Sequence, residues 1–415
     1  MLKKLLAGAA LALALGIVPA SAEVTVRMLH VNQTGDPFWK KVAEDYNKAH
    51  PGVKVVVEYM ENEAYKAKLP TLLQSNERPN IIYSWAGGVM KAQIAAGYIE
   101  DITASKADFD KTIYSAPMGA YIVDGKLYGI PLQLSEVLLI YNKDLLVKAG
   151  VDIKTMATWE GFLAGVKKIN AAGITPLSMG GGDKWPMHFI WSYLLMRQGG
   201  SDVLSAAQAT KKTGFKAQAF VDAGARLKEL AALEPFQNGW LDTKYLASQG
   251  VFGDGKAAMA VQLNGFMQGQ QKNATDGKGI ADDKLGEAPF PTLPGGKGKV
   301  TDTLGGIQGF LVTKGSPKEA VDFLKFFALA EQHKAAAEAG VYVPAVKGTD
   351  AFIKNPLVAE VARSIANSTW HQNFLDQELG PSVGRVVNDI SVAIAANSIK
   401  PEEGAAQTQE AWDQQ

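Results

Sequence analysis

The sequence predicts an α/β protein built of two doubly wound lobes. Residues 24–85 alternate strand and helix patterns in the order β-α-β-α-β, which is typical of a sheet with parallel strands and helices on both faces. A second stretch, residues 127–150, carries a long apolar strand pattern followed by a helix pattern. The chain has 415 residues, more than one hydrophobic core usually serves, so we expect two domains.

The elements of the first part follow from simple periodicities. β-branched and apolar residues predict strands, and apolar residues that recur every four positions, such as Phe38, Val42 and Tyr46, predict helices. The predicted strands are residues 24–31, 53–59 and 80–85, and the predicted helices are residues 38–50 and 64–75. Ligands of such sheets bind beyond the carboxyl ends of strands, where Asn32, Gln33 and Trp85 lie.

Residues 127–150 contain a stiff point, a buried strand and a capped helix. Pro131 fixes its own φ and lacks an N–H donor, so we do not expect a regular strand to run straight through it. Residues 137–141 are continuously apolar, which favours a strand buried on both faces. Asn142 is placed to cap the next helix, and Gly150 to end it.

The amino-acid sequence of this stretch is characteristic of one family. G-K-L-Y-G-I-P followed by L-I-Y-N-K-D-L resembles the segment by which sugar-binding proteins of bacterial ABC importers cross from one lobe to the other. The family is the extracellular solute-binding proteins of the maltose and oligosaccharide type. Three more runs occur in the family's order: H-P-G-V-K-V with P-N-I-I-Y-S-W-A-G-G, then F-G-D-G-K-A-A-M-A-V-Q-L-N-G-F, then P-K-E-A-V-D-F-L-K-F.

The resemblance implies the type II periplasmic binding protein fold, whose two lobes are joined by a multi-segment hinge. It implies a first lobe of residues 23–131 and 300–343, and a second lobe of residues 132–299 and 344–415. It also implies the function: capture of a neutral oligosaccharide or glycoside by lobe closure, and delivery to the permease subunits of an ABC transporter in the inner membrane.

The first 22 residues predict a signal peptide. Lys3 and Lys4 precede an uncharged apolar run, and Ala20-Ser-Ala22 is an A-x-A cleavage site. We therefore expect an exported chain that begins at Glu23. The sequence contains no cysteine, so we expect neither a lipid-modified N-terminal cysteine nor a disulfide. These features predict a periplasmic protein, and we expect it to be a monomer.

The charge pattern argues against nucleic acid and favours an uncharged ligand. Lys plus Arg and Asp plus Glu both number 42, whereas a nucleic-acid-binding protein needs a basic face. Only six of the basic residues are Arg, and a site for a phosphate or a dicarboxylate usually uses Arg forks. We expect no cofactor, and no metal site.

Sugars present hydroxyl groups and weakly apolar C–H faces, so a sugar site needs aromatic platforms and short polar side chains. Trp185 follows a run of three glycines at a predicted helix start, whereas Trp191 is expected in the core. The candidate platforms are Trp85, Trp185, Phe266 and Trp370. The candidate polar residues are Asn32, Gln33, His188, Asn264, Gln308, His371 and Asp376.

The resemblance assigns some of these positions more closely. Trp85 stands where the maltose-binding branch has a sugar-contacting Trp, and Phe266 stands where the family signature has Trp. Gly88 stands where that branch has a ligand-binding Asp. The missing carboxylate disfavours maltodextrin. The run S-W-A-G-G is more similar to that of relatives that take raffinose-type and other oligosaccharides.

Other functions remain as alternatives. A protein of the same fold could bind an anionic sugar derivative, a sulfonate, iron or another small solute. A secreted glycoside-active enzyme would need a carboxylate pair across a cleft, which acid content alone cannot reveal, and the sequence lacks G-x-S-x-G, H-E-x-x-H and any thiol. The glycine run lacks the P-loop pattern, and residues 273–283 lack the EF-hand spacing, although Asp276 and Asp282 leave calcium open.

Overall fold

The computed structural model describes residues 23–415, and the predicted signal peptide lies outside the described residues. The strands are β1 (Val24–His30), β2 (Val53–Tyr59), β3 (Ile81–Ser84), β4 (Ile122–Val123), β5 (Lys126–Leu127), β6 (Gly129–Asn142), β7 (Thr175–Leu177), β8 (Ala257–Leu263), β9 (Leu285–Ala288), β10 (Asp302–Val312), β11 (Val343–Pro344) and β12 (Trp370–Asn373).

Helices cover both faces of the sheet. They are α1 (Asp36–Ala49), α2 (Asn62–Gln74), α3 (Gly87–Ala95), α4 (Lys106–Thr112), α5 (Ser115–Met118), α6 (Lys143–Lys148), α7 (Trp159–Ala171), α8 (Trp185–Gly199), α9 (Val203–Ala209), α10 (Gln218–Ala231), α11 (Tyr245–Gly253), α12 (Phe266–Asn273), α13 (Lys318–Phe327), α14 (Ala330–Glu338), α15 (Pro356–Asn367), α16 (Leu375–Glu378), α17 (Gly380–Ala395) and α18 (Pro401–Asp413). Among residues 23–415, none of these helices is both long and apolar enough to cross a bilayer.

The sheet joins two α/β lobes, as predicted. Its strand order is β2-β1-β3-β10-β6-β8-β7. Both β2 and β3 run parallel to β1, which confirms the doubly wound start of the chain. β10 lies antiparallel to β3 and to β6, and β8 lies antiparallel to β6. The long strands β6 and β10 therefore connect the parallel strands of the first lobe to β8 and β7 of the second.

β6 continues through Pro131, but the strand is not regular there, as the sequence predicted. The strand continues through it by means of a β-bulge: Gln308 of β10 pairs with Gln133, and Gly309 pairs with Pro131. Leu132 is thus the extra residue, and its carbonyl accepts a hydrogen bond from the Ala345 backbone N–H at 2.8 Å. A bulge lets a strand carry a proline because the ladder is already disrupted there.

The second half of β6 and the helix after it match the prediction. Val137 and Ile140 are completely buried. The Asn142 side chain caps α6 by accepting hydrogen bonds from the backbone N–H groups of Asp144 and Leu145. Gly150 follows the helix at φ +64°, a conformation that favours glycine.

One short strand near the C-terminus was not predicted. Trp370 and His371 lie in β12, which pairs in parallel with the start of β10. The sequence hides this strand because it has four residues and no apolar alternation.

Candidate functional site

A cavity between the lobes is lined by β-strand ends, by α2, and by α8, α11 and α16. Seven of the predicted site residues line it, and they come from distant parts of the chain. They are Asn32, Gln33, Trp85, Trp185, Asn264, Gln308 and Asp376. The structure therefore brings these seven side chains together, although their contact with a ligand stays a prediction.

Trp85 follows β3 and packs against the hydrophobic cores of both lobes. Tyr83 and Tyr65 meet its ring edge to face, with centroids 5.2 Å and 5.9 Å away. These contacts fix the ring from the side of the first lobe and leave it half-buried at the cavity wall.

Trp185 is the first residue of α8, as predicted. Its ring centroid lies 4.6 Å from that of Tyr245 and 5.3 Å from that of Phe189. Only 8% of the residue is exposed. The ammonium of Lys66 lies 5.5 Å from the Trp85 ring and 6.0 Å from the Trp185 ring, so the two indoles flank one cation.

The cavity also contains amide side chains. Asn32 Nδ2 donates to Gln133 Oε1 at 3.2 Å, and Gln308 Nε2 donates to Ser135 Oγ at 2.7 Å. Asn264 Oδ1 accepts from the Glu136 backbone N–H at 3.1 Å, so this side chain also holds the turn after β8 against β6. Among the described residues, Gln308 Oε1 and Trp185 Nε1 are buried without a hydrogen-bond partner.

Asp376 is a buried carboxylate at the cavity wall. Lys66 Nζ lies 3.6 Å from its Oδ2 atom, and Gln377 and Asn388 donate hydrogen bonds to that same oxygen. Burial opposes the ionisation of Asp376, but the charge of Lys66 and contacts with His188, Gln377 and Asn388 hold its pKa below the usual value. The carboxylate is therefore charged at neutral pH.

Four predicted site residues do not line the cavity. His188 lies behind Asp376, with Nε2 3.2 Å from Oδ1, and burial lowers its pKa to about 4. Phe266 is completely buried in a core cluster with Phe252. Trp370 packs against the hydrophobic core of the second lobe, and His371 Nδ1 lies 2.8 Å from Thr303 Oγ1. His188 and Phe266 are completely buried, and Trp370 and His371 are half-buried outside the cavity wall, so packing within the protein occupies these four side chains.

Sequence reasoning missed several residues of the cavity. Lys66 lies on the predicted helix α2 and had no feature that distinguishes it from a surface lysine. Gln133 and Ser135 lie in β6, the strand that crosses between the lobes. The apolar residues around them predicted a buried strand, not a cavity wall. The other missed polar or aromatic wall residues include Tyr59, Glu61, Tyr245, Gln249, Phe374 and Gln377.

The acidic loop before β9 uses its carboxylates locally. Asp276 Oδ1 accepts from the backbone N–H groups of Lys278 and Gly279. The Asp282 carboxylate accepts from Gln271 and from Asn355. Within residues 23–415, no three His, Cys, Asp or Glu side chains form a group that could hold a metal ion.

Close packing explains why residue 88 is a glycine. A Cβ atom at this position would lie 2.6 Å from the Glu378 carbonyl oxygen and 2.7 Å from the Gly380 nitrogen. The carboxylate that the maltose-binding branch has here would therefore not fit between α3 and the α16–α17 turn.

Replacing Gly88 by alanine should destabilise the protein by about 1–3 kcal/mol, since added atoms meet backbone that must shift. The matched control is Gly119→Ala, at an exposed position where a Cβ atom has nothing within 4 Å. Urea unfolding measures both variants. Equal free energies of unfolding in the two variants would contradict this account of the contact.

Comparison with known proteins gives the family. The family described as "Bacterial extracellular solute-binding protein" matches residues 31–334. The chain therefore belongs to the bacterial extracellular solute-binding proteins, and the resemblance stated from the sequence is confirmed.

Several solved structures have a similar fold. One, from work on xylan utilization by Caldanaerobius polysaccharolyticus, has a TM-score of 0.86 and 25% identity over 93% of this chain and 99% of its own. A chitin oligosaccharide binding protein has a TM-score of 0.84 and 22% identity over 94% and 98%. A solute-binding protein in complex with raffinose has a TM-score of 0.77 and 18% identity over 94% and 99%. These confirm the type II fold with two lobes.

Curated relatives match over a shorter span. A putative binding protein of Brucella abortus is 27% identical over 48% of this chain and 48% of its own length. The sn-glycerol-3-phosphate-binding periplasmic protein of Yersinia pestis is 26% identical over 33% and 36%. The chain thus aligns with about half or less of the length of these relatives.

Proposed function

We propose that this protein is the substrate-binding component of an ABC importer, and that it captures a neutral oligosaccharide or glycoside in the periplasm. The observation that carries the proposal is the cavity itself, which is lined by Trp85 and Trp185 together with amide side chains. Such a combination suits the C–H faces and hydroxyl groups of a sugar.

The hydrogen-bonding capacity of the wall supports a hydroxylated ligand. Trp185 Nε1 can only donate, and Gln308 Oε1 can only accept. A ligand that satisfies both must offer an acceptor and a donor, and each sugar hydroxyl offers both. Asp376 adds a charged acceptor beside Lys66, a donor.

The charges of the wall support a neutral ligand. Lys66 is the one basic residue among the described wall residues, and its charge is balanced by Asp376. The wall also carries Glu61, so the cavity offers no excess of positive charge. An anionic solute would find neither an Arg fork nor an unpaired Lys there.

The proposed motion is closure of the two lobes around the ligand. Two core clusters support the predicted division: one is built from residues 26–132 and 310–346, and the other from residues 137–304 and 374–405. Lys66 of α2 already lies 3.6 Å from Asp376 of α16, so opening of the lobes would separate these two side chains and closure would bring them together again. The closed protein would deliver the ligand to membrane permease subunits.

The second candidate is an anionic solute, because one relative carries the name of an sn-glycerol-3-phosphate-binding protein. The balanced wall charges argue against this alternative. The family consists of solute-binding proteins, so we propose no catalytic role for Asp376 or Glu61.

A thermal-shift panel tests the proposal. Neutral xylo-, chito- and galacto-oligosaccharides should include one that raises the melting temperature, because a ligand at 100 times its Kd stabilises by about 2.7 kcal/mol. The affinity should change little with ionic strength, since the ligand has no charge. Glycerol phosphate, uronates and sulfonates serve as controls, and a shift with these alone would contradict a neutral ligand.

A further inference from the structure

Both tryptophans of the cavity are chain neighbours of residues with unusual backbone conformations. Ala86, directly after Trp85, has φ +57° and ψ −150°. Lys184, directly before Trp185, has φ +63° and ψ −49°. The conformation of Ala86 is almost confined to glycine. That of Lys184 is close to the conformation of the central residue of a γ-turn, which is rare and strained. Only six non-glycine residues among residues 23–415 have a positive φ, so this coincidence calls for an explanation.

We propose that Ala86 and Lys184 are positioning residues, whose constrained backbones fix the two indole rings that the proposed sugar site uses. The inference rests on the proposed function in one respect, that the fixed rings serve to bind a sugar. The structural claim, that these two residues set the ring orientations, stands apart from the identity of any ligand.

The surroundings of Ala86 hold the chain in place on both sides. The Ala86 N–H donates to Ser84 Oγ at 3.1 Å, and Asn373 Nδ2 donates to the Trp85 carbonyl at 3.3 Å. A Cβ atom on the next residue, Gly87, would lie 2.8 Å from Asn373 Nδ2. The backbone therefore has to turn sharply within this segment, and the turn fixes the direction of the Trp85 side chain.

The loop before Trp185 is held equally closely. The backbone N–H groups of Gly181 and Gly182 donate to the carbonyls of Trp240 and Thr243, each at 2.9 Å. Lys184 donates its own N–H to the Gly181 carbonyl at 3.0 Å. Its ammonium lies 2.6 Å from Asp389 Oδ1 on α17. The chain changes direction between this loop and α8, and Lys184 makes that change through its positive φ.

A ring that is already ordered loses less freedom when a ligand stacks on it. Immobilising one rotamer-rich side chain on binding costs about 0.5–1.5 kcal/mol, which corresponds to about a 2- to 13-fold change in Kd. Strain that persists at a binding site is consistent with such pre-organisation, because the surrounding contacts must maintain it.

Glycine variants test the inference. Glycine adopts positive φ without steric strain and also visits other conformations, so Ala86→Gly and Lys184→Gly should loosen the neighbouring ring. The full chain would carry 5-fluorotryptophan, and the resonances of Trp85 and Trp185 would be assigned with Trp→Phe variants. Asp124→Gly is the matched control, since Asp124 also has a positive φ, +50°, but is exposed and remote from the cavity wall.

Without any sugar, Ala86→Gly should broaden or split the fluorine resonance of Trp85 alone, and Lys184→Gly that of Trp185 alone. Asp124→Gly should change neither resonance. Sharp, unshifted resonances in both glycine variants would overturn the inference, and so would equal changes in the control. With a sugar from the panel, each glycine variant should bind about 2- to 13-fold more weakly. If no sugar moves any resonance of the unmodified chain, the proposed function fails while the ring-positioning result still stands.

Discussion

Replacing Trp85 or Trp185 by alanine should weaken binding of the proposed neutral oligosaccharide by roughly 1–3 kcal/mol, which is the usual range for a truncated aromatic at a binding hot spot. The two rings line the same cavity and lie on either side of Lys66. Each alanine removes a stacking surface, and Trp185→Ala also removes the donor Nε1. Isothermal titration calorimetry measures the change in Kd for each variant.

Stability has to be separated from affinity in this experiment. Trp185 is largely buried, so its removal also costs packing energy. Trp191 supplies the matched control because it lies on the same helix, is 1% exposed and does not line the cavity. Trp191→Ala should lower the free energy of unfolding while the remaining folded protein binds normally. Unchanged affinity in both Trp85→Ala and Trp185→Ala would exclude this cavity as the sugar site.

The fold was largely predictable because the strand and helix periodicities and the family-like sequence runs both indicate an α/β protein with two lobes. The parallel strands of the first lobe, the buried half of β6 and the Asn142 cap all follow from local patterns. Two features depend on tertiary context and escaped prediction. The bulge that accommodates Pro131 forms by pairing with β10, far away in sequence, and β12 exists because β10 offers a free edge beside it.

The site was predictable only in part. Trp85 and Trp185 follow short strands or loops, which places them at an edge of the sheet where a cavity can form. His188 and Phe266 have equally suitable chemistry, yet both are completely buried: Phe266 lies in a core cluster, and His188 lies behind Asp376. Which face of a helix meets the cavity is decided by packing between lobes, and this also explains why Lys66 was missed.

The free energy of unfolding should be greatest near pH 6.5 and fall steeply toward pH 4. Three of the five histidines, His30, His188 and His333, are buried, and His371 is half-buried. Burial lowers the pKa of each to about 4, mainly by desolvation. In the unfolded chain their pKa is about 6.5. The unfolded state therefore binds more protons between these values, and the stability present above pH 6.5 is lost as the pH falls toward 4.

Two carboxyl groups, the buried Glu136 and the half-buried Glu287, act in the opposite direction. Burial raises the pKa of Glu136 to about 7 and that of Glu287 to about 8, with the Glu136 charge adding to the latter. Their contribution is complete below the unfolded value near 4.5 and is lost as the pH rises through 7 and 8. Stability should thus decline gently above pH 6.5. Below it, four histidines oppose two carboxyl groups, so the protein should become less stable.

Urea unfolding between pH 4.5 and 8.5 measures this profile. Each unmatched proton contributes a slope of about 1.4 kcal/mol per pH unit, so the acid side should be steep enough to resolve. His333→Gln should flatten the acid side, because one buried imidazole no longer resists protonation. The matched control for replacing a histidine at the surface is His50→Gln, since His50 is exposed. A free energy of unfolding that stays constant from pH 7 to pH 5 would show that the buried histidines bind protons as readily in the folded protein as in the unfolded chain.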